Sequence, residues 1–132
     1  MNRKIFIKNC GVACMGGAAM LLLPGCSSAS KIVSGKIIAD DLVVDVADFK
    51  TAKGNYKNYL VVEHDMLRYP VCVYRFDENN YSALFMRCTH QGAELQVFGD
   101  KLQCPAHGSE FSNRGAMQNG PANTNLRTFP VT

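Results

Sequence analysis

The chain of 132 residues has the length of one domain, and with 47% hydrophobic residues it is neither disordered nor collagen-like. Its formal charge of +3, from 14 Lys and Arg against 11 Asp and Glu, is local to the N-terminus. Arg3, Lys4 and Lys8 precede the first acid, Asp40, and from residue 26 onward 11 basic residues balance 11 acidic ones. A neutral body gives no footprint for nucleic acid, which needs clustered cations to displace counterions from phosphates. A single uncharged stretch, between Lys8 and Lys31, excludes a multi-span membrane protein.

Residues 1–25 read as an export signal. A basic head, Met1 to Lys8, precedes a 14-residue apolar middle, Cys10 to Leu23, and then Pro24-Gly25-Cys26. A retained membrane helix wants about 20 apolar residues, and Gly16, Gly17, Pro24 and Gly25 weaken this one. Cleavage is therefore expected, with an uncleaved membrane helix as the alternative. Leu23-Pro-Gly-Cys26 resembles a bacterial lipobox, although Pro24 is unusual there; the resemblance implies that Cys26 is lipid-modified and begins the mature chain. Asn2 to Lys8 is similar to a twin-arginine signal with Lys4 in place of the second Arg, and that route exports folded proteins. Together these imply a lipid-anchored protein on the periplasmic side of a bacterial envelope. Residues 26–36 would be its tether, residues 37–132 its domain, and a membrane surface its neighbour.

From Ile37 the composition predicts short strands. Residues 37–39, 42–46, 59–63, 71–76 and 81–86 are β-branched or aromatic runs of strand length. Turn compositions separate them at 53–55, 77–80 and 98–101, and the last of these joins residues 94–98 to 101–103 as a hairpin. No segment after the leader has a sustained helical period. The expected fold is all-β, a small antiparallel sandwich or partly closed barrel with a loop subdomain. Residues 104–125 hold three Gly, two Pro and four Asn with few strand formers, and so read as a long functional loop.

The cysteines sort by position. Cys10 and Cys14 lie in the leader, Cys26 is the lipid candidate, and the body keeps Cys72, Cys88 and Cys104, an odd number that cannot close as disulfides. Cys72 sits in an apolar run and reads as a buried thiol. The other two each precede a histidine, in Cys88-Thr-His90 and Cys104-Pro-Ala-His107. Two thiolates and two imidazoles suit zinc or an iron–sulfur cluster. A zinc finger groups its cysteines first and its histidines later, whereas here each half offers one of each. Both pairs follow a strand or hairpin, which places them in loops at one end of the sheet. His64, near a strand end, reads as an ordinary surface histidine.

Residues 88–95 (Cys-Thr-His-Gln-Gly-Ala-Glu-Leu), 104–111 (Cys-Pro-Ala-His-Gly-Ser-Glu-Phe) and 120–122 (Gly-Pro-Ala) resemble the two cluster loops and the proline loop of Rieske [2Fe–2S] proteins. The resemblance implies one [2Fe–2S] cluster, with Cys88 and Cys104 on an inner iron and His90 and His107 on an outer one. It further implies that Gly92 and Gly108 let backbone amides reach the sulfurs, that Ser109 donates to a bridging sulfide, and that the Pro121 loop covers a third side. The chain departs from the quinol-oxidising members. Ala93 and Ala106 replace a disulfide, and Phe111 replaces a Tyr hydroxyl donor.

By this resemblance the protein transfers single electrons between a redox protein donor and acceptor, such as a membrane respiratory complex. It would be a carrier or redox subunit rather than a stand-alone catalyst. The alternatives are a ferredoxin-type component serving a separate oxygenase, against which the export leader argues, and a non-redox zinc module. No site of two His and one carboxylate for mononuclear iron is legible in the sequence.

Overall fold

The computed structural model describes residues 31–132. The expected signal segment, Cys26 and residues 27–30 lie outside the described residues. Among the described residues, eleven strands and one short 3-10 helix follow in the order β1 (Ile32–Ser34), β2 (Lys36–Ile38), β3 (Asp41–Val43), the 3-10 helix (Val46–Phe49), β4 (Tyr59–Glu63), β5 (Val71–Arg75), β6 (Tyr81–Phe85), β7 (Gln96–Phe98), β8 (Lys101–Gln103), β9 (Glu110–Ser112), β10 (Met117–Asn119) and β11 (Thr128–Phe129).

They form three sheets. A five-stranded sheet has the order β1-β4-β5-β6-β11, a four-stranded one the order β10-β9-β8-β7, and β2 pairs with β3. No sheet closes into a barrel. The five-stranded sheet is the middle layer, and the alternation along β5 shows why. Val71 and Val73 join one cluster with Phe49, Leu60, Val62 and Ala83, while Cys72 and Tyr74 join another with Leu84, Leu95, Leu102 and Phe111. A strand buried on both faces reads as an unbroken apolar run, and Val-Cys-Val-Tyr is one.

The structure adds a strand at its N-terminal edge and corrects one expectation. Within residues 32–36, β1 pairs with β4, Ile32 opposite Val61, and half-buried Val33 packs into the first cluster. This pairing is parallel, within sheets whose other strand pairs are antiparallel as expected. The residues between β1 and β4 provide the long crossover that a parallel pair requires. Residues 104–125 are not one irregular loop, since β9 and β10 lie within them. β9 offers one buried residue, Phe111, between two half-buried polar ones, and β10 is exposed throughout. Backbone pairing across β8-β9-β10 makes these strands without an apolar pattern to announce them.

The two clusters predict where stability resides. Leu60→Ala should lower unfolding stability by about 2–5 kcal/mol, since Leu60 is fully buried under the middle sheet. Ile38→Ala, at an exposed position, should change it by under about 0.5 kcal/mol. Denaturant titration followed by circular dichroism measures both.

Candidate metal centre

The two Cys–His loops are the same hydrogen-bonded turn built twice. In the first, the Cys88 amide donates to the Ala93 carbonyl at 2.8 Å and the Gly92 amide donates to the Cys88 carbonyl at 2.9 Å. In the second, the Cys104 amide donates to the Ser109 carbonyl at 2.8 Å and the Gly108 amide to the Cys104 carbonyl at 2.9 Å. Gly92 and Gly108 stand at φ +78° and +81°, a left-handed conformation that a side chain disfavours. β6 feeds the first loop and the β7–β8 hairpin feeds the second, so both leave the same end of the molecule.

This geometry turns the cysteines inward and the histidines outward. Cys88 and Cys104 are each 1% exposed and share the cluster of Leu95, Leu102 and Phe111. His90 and His107 are exposed, with ring centroids 4.9 Å apart and planes at 88°. Among the described residues no three of His, Cys, Asp or Glu are gathered closely enough to hold a single metal ion. The four separate instead into a buried thiol pair and an exposed imidazole pair. A two-iron group has that requirement: soft thiolates on one side, imidazoles on the other.

The third loop is tied to both of the others. The hydroxyl of buried Ser109 accepts from the Ala122 amide at 2.9 Å, and Thr89 Oγ1 donates to the Thr124 carbonyl at 2.9 Å. Ser109 uses a lone pair in its bond and keeps its proton to donate. Pro121 is exposed and follows a cis peptide bond beside these contacts.

A family model for the Rieske [2Fe–2S] domain matches residues 41–130. The chain belongs to the Rieske [2Fe–2S] domain family. The cofactor of this domain is a [2Fe–2S] cluster, and its chemistry is electron transfer. Among curated proteins, the chain is 35% identical over 72 residues to the oxygenase component of dicamba O-demethylase from Stenotrophomonas maltophilia. It is 43% identical over 47 residues to a methylxanthine N1-demethylase from Pseudomonas putida. These matches span 47% and 33% of this chain but only 21% and 13% of those enzymes. Among solved structures, a plasma membrane Rieske protein of Synechocystis PCC 6803 aligns over 55% of this chain and 75% of its own, at 30% identity and a TM-score of 0.48. Dicamba monooxygenase aligns over 57% of this chain and 26% of its own, at 29% identity and a TM-score of 0.40.

Two supports of the Rieske loops carry no signal in the sequence. Tyr69 donates its hydroxyl to the Gly92 carbonyl at 2.7 Å, across 23 positions of chain, with nothing in its neighbourhood to announce it. Thr89 lies inside the motif, but its partner Thr124 is 35 positions away. His64 stands apart from the centre, where its Nδ1 accepts from the Met66 amide at 3.1 Å.

Cys72 is the buried thiol expected from its apolar run. Desolvation by burial pushes its pKa from 9.0 up to about 12. A thiol whose folded value is raised contributes its stability below the ordinary value, and that contribution is lost as pH rises from 9.0 toward about 12. At pH 8 the thiol should therefore resist iodoacetamide in the folded protein and react once the chain is unfolded in urea. Mass spectrometry of the peptide carrying Cys72 measures the difference.

Proposed function

We propose that this chain is a one-electron carrier, lipid-anchored on the periplasmic side of a bacterial envelope, with its [2Fe–2S] cluster held by Cys88, His90, Cys104 and His107. The observation that carries the reading is the duplicated turn, which offers two buried thiols beneath two exposed imidazoles 4.9 Å apart. Cys88 and Cys104 would take the inner iron and His90 and His107 the outer one. The two thiolates leave the oxidised site near neutral and the reduced site with about one negative charge. Donors aimed at the sulfurs stabilise that charge. Ser109 is the side-chain donor available, and Gly92 and Gly108 free the backbone amides of their loops for close approach. The loop of Pro121 shields a third side through its bonds to Ser109 and Thr89. Electrons would enter and leave by the exposed imidazoles, between a redox protein donor and an acceptor.

A tether begun by lipid on Cys26 is supported by the basic head, the short apolar run and the lipobox-like residues before it. The second reading, a carrier serving a separate oxygenase, draws on the demethylase relatives. Fractionation separates the two. The full chain should sediment with membranes and Cys26→Ser should appear in the soluble periplasmic fraction; a cytoplasmic soluble chain would favour the oxygenase component.

The ligand assignment predicts that His107→Ala or Cys104→Ala loses the visible absorption together with iron and labile sulfide. Full content in either variant contradicts it. Phe111 is completely buried in the cluster of residues that holds both cysteines, so a hydroxyl there would be directed among apolar groups and thiolates. Rieske potentials span about −150 to +300 mV. Phe111→Tyr should raise the potential and Ser109→Ala should lower it, as read by protein-film voltammetry.

A further inference from the structure

The surface around the imidazoles has a distinctive charge pattern. Residues 88–93, 104–109 and 120–126, which form the three loops of the tip, contain no Lys, Arg, Asp or Glu. Along the sequence, charge returns at their borders. Glu110 is neutralised by Lys101 at 2.8 Å, and the Arg114 guanidinium lies 3.8 Å from the ring of Phe76, at the far end of β5. Arg87, Glu94 and Arg127 remain.

The two arginines are held in an informative way. The guanidinium of Arg87 lies against Gly92, where a Cβ would meet its nitrogens at 3.0 and 3.2 Å. That of Arg127 lies 4.9 Å from the Phe129 ring and 6.0 Å from the Phe85 ring. Both residues are exposed, and neither has a carboxylate partner among the described residues. Glu94 shares a backbone bridge with Arg87, but it lines a cleft of about 510 Å³ with Glu63, Asp65 and Arg68. An arginine paired with a carboxylate is neutralised locally. One held by a ring face or a glycine keeps its field and its fork of donors for a group arriving from outside.

We propose that Arg87 and Arg127 are the cationic border of an otherwise uncharged docking face, and that this face receives a redox protein whose contact surface is acidic where it meets them. The proposal rests on the electron-transfer reading. An anionic lipid surface would also satisfy two guanidiniums, but it would cover the imidazoles through which the electron must pass. A protein partner is therefore the occupant.

The test uses the reduced, cluster-loaded protein and two small oxidants of opposite charge, hexacyanoferrate(III) and tris(phenanthroline)cobalt(III). Each takes one electron from the cluster and becomes the iron(II) or cobalt(II) complex, with no other reactant. Stopped-flow rates are compared at low and high ionic strength. In Arg87→Gln/Arg127→Gln the ratio of the anionic to the cationic rate should fall at least threefold at low salt, and the difference should close as salt screens the charges. A change in cluster potential alters the driving force for both oxidants, so the ratio reports the surface charge. Arg87→Lys/Arg127→Lys should keep most of the ratio.

Calorimetry with a hexaglutamate peptide gives a readout independent of electron transfer: the native protein should bind it, and the Gln variant should bind more weakly. An unchanged ratio, or a native rate with hexacyanoferrate(III) that does not fall with salt, overturns the proposal. So does binding to phosphatidylglycerol vesicles that the Gln variant loses, with none to the peptide, which assigns the face to lipid. Should the Gln variant fail to load its cluster, the native salt dependence and the Lys variant still decide. A native protein with no cluster absorption fails the electron-transfer reading itself, which is a separate result.

Discussion

Each cysteine of the proposed centre donates its amide to a carbonyl five residues further on, and a left-handed glycine one position earlier closes the turn back onto that cysteine. This local constraint, repeated at Cys88 and Cys104, determines the rest of the site. It folds the thiols under the loops and throws the histidines to the surface, so that one short motif yields a buried soft ligand and an exposed imidazole. The two turns are then held in register by long-range contacts from elsewhere in the chain. Tyr69 anchors the first from before β5, and the loop of Pro121 joins both through Thr89 and Ser109.

The layers beneath serve this arrangement. The middle sheet is buried on both faces, and its upper cluster ends in the two cysteines themselves. Phe111, Leu95 and Leu102 form the floor of the centre, so its polarity is set by core packing as much as by the loops. Ser109 is the buried polar residue in this otherwise apolar setting. Its bond to Ala122 satisfies the oxygen and leaves a proton to donate. A hydroxyl whose lone pair is occupied by a backbone amide is oriented before any cofactor arrives, which reduces the reorganisation needed when the site gains an electron.

Much of this was legible in the sequence because the information is local. The strands of the middle sheet announce themselves as β-branched runs, and β4 and β8 fall at the expected residues. The four Cys and His residues and their glycines lie within two short segments, where spacing alone places them in matching loops. What was not legible depends on partners distant in the chain. β1 exists because Val61 and its neighbours offer it an edge, and β10 because β9 does; neither has a pattern of its own. Tyr69 looks like any aromatic before a proline until the fold carries its hydroxyl to Gly92. The cation–π positions of Arg87's neighbour Phe85 and of Arg127 likewise emerge only from the pairing of β6 with β11.

The central claim is that two imidazoles and two thiolates bind one pair of irons asymmetrically. Pulsed electron paramagnetic resonance of the dithionite-reduced protein, with histidine labelled by nitrogen-15, tests it most directly. The account predicts a spectrum of one unpaired electron per chain, coupled to two inequivalent histidine nitrogens. A cluster signal without nitrogen coupling would contradict the ligand set. A silent, colourless protein containing zinc and no labile sulfide would contradict the electron-transfer function altogether.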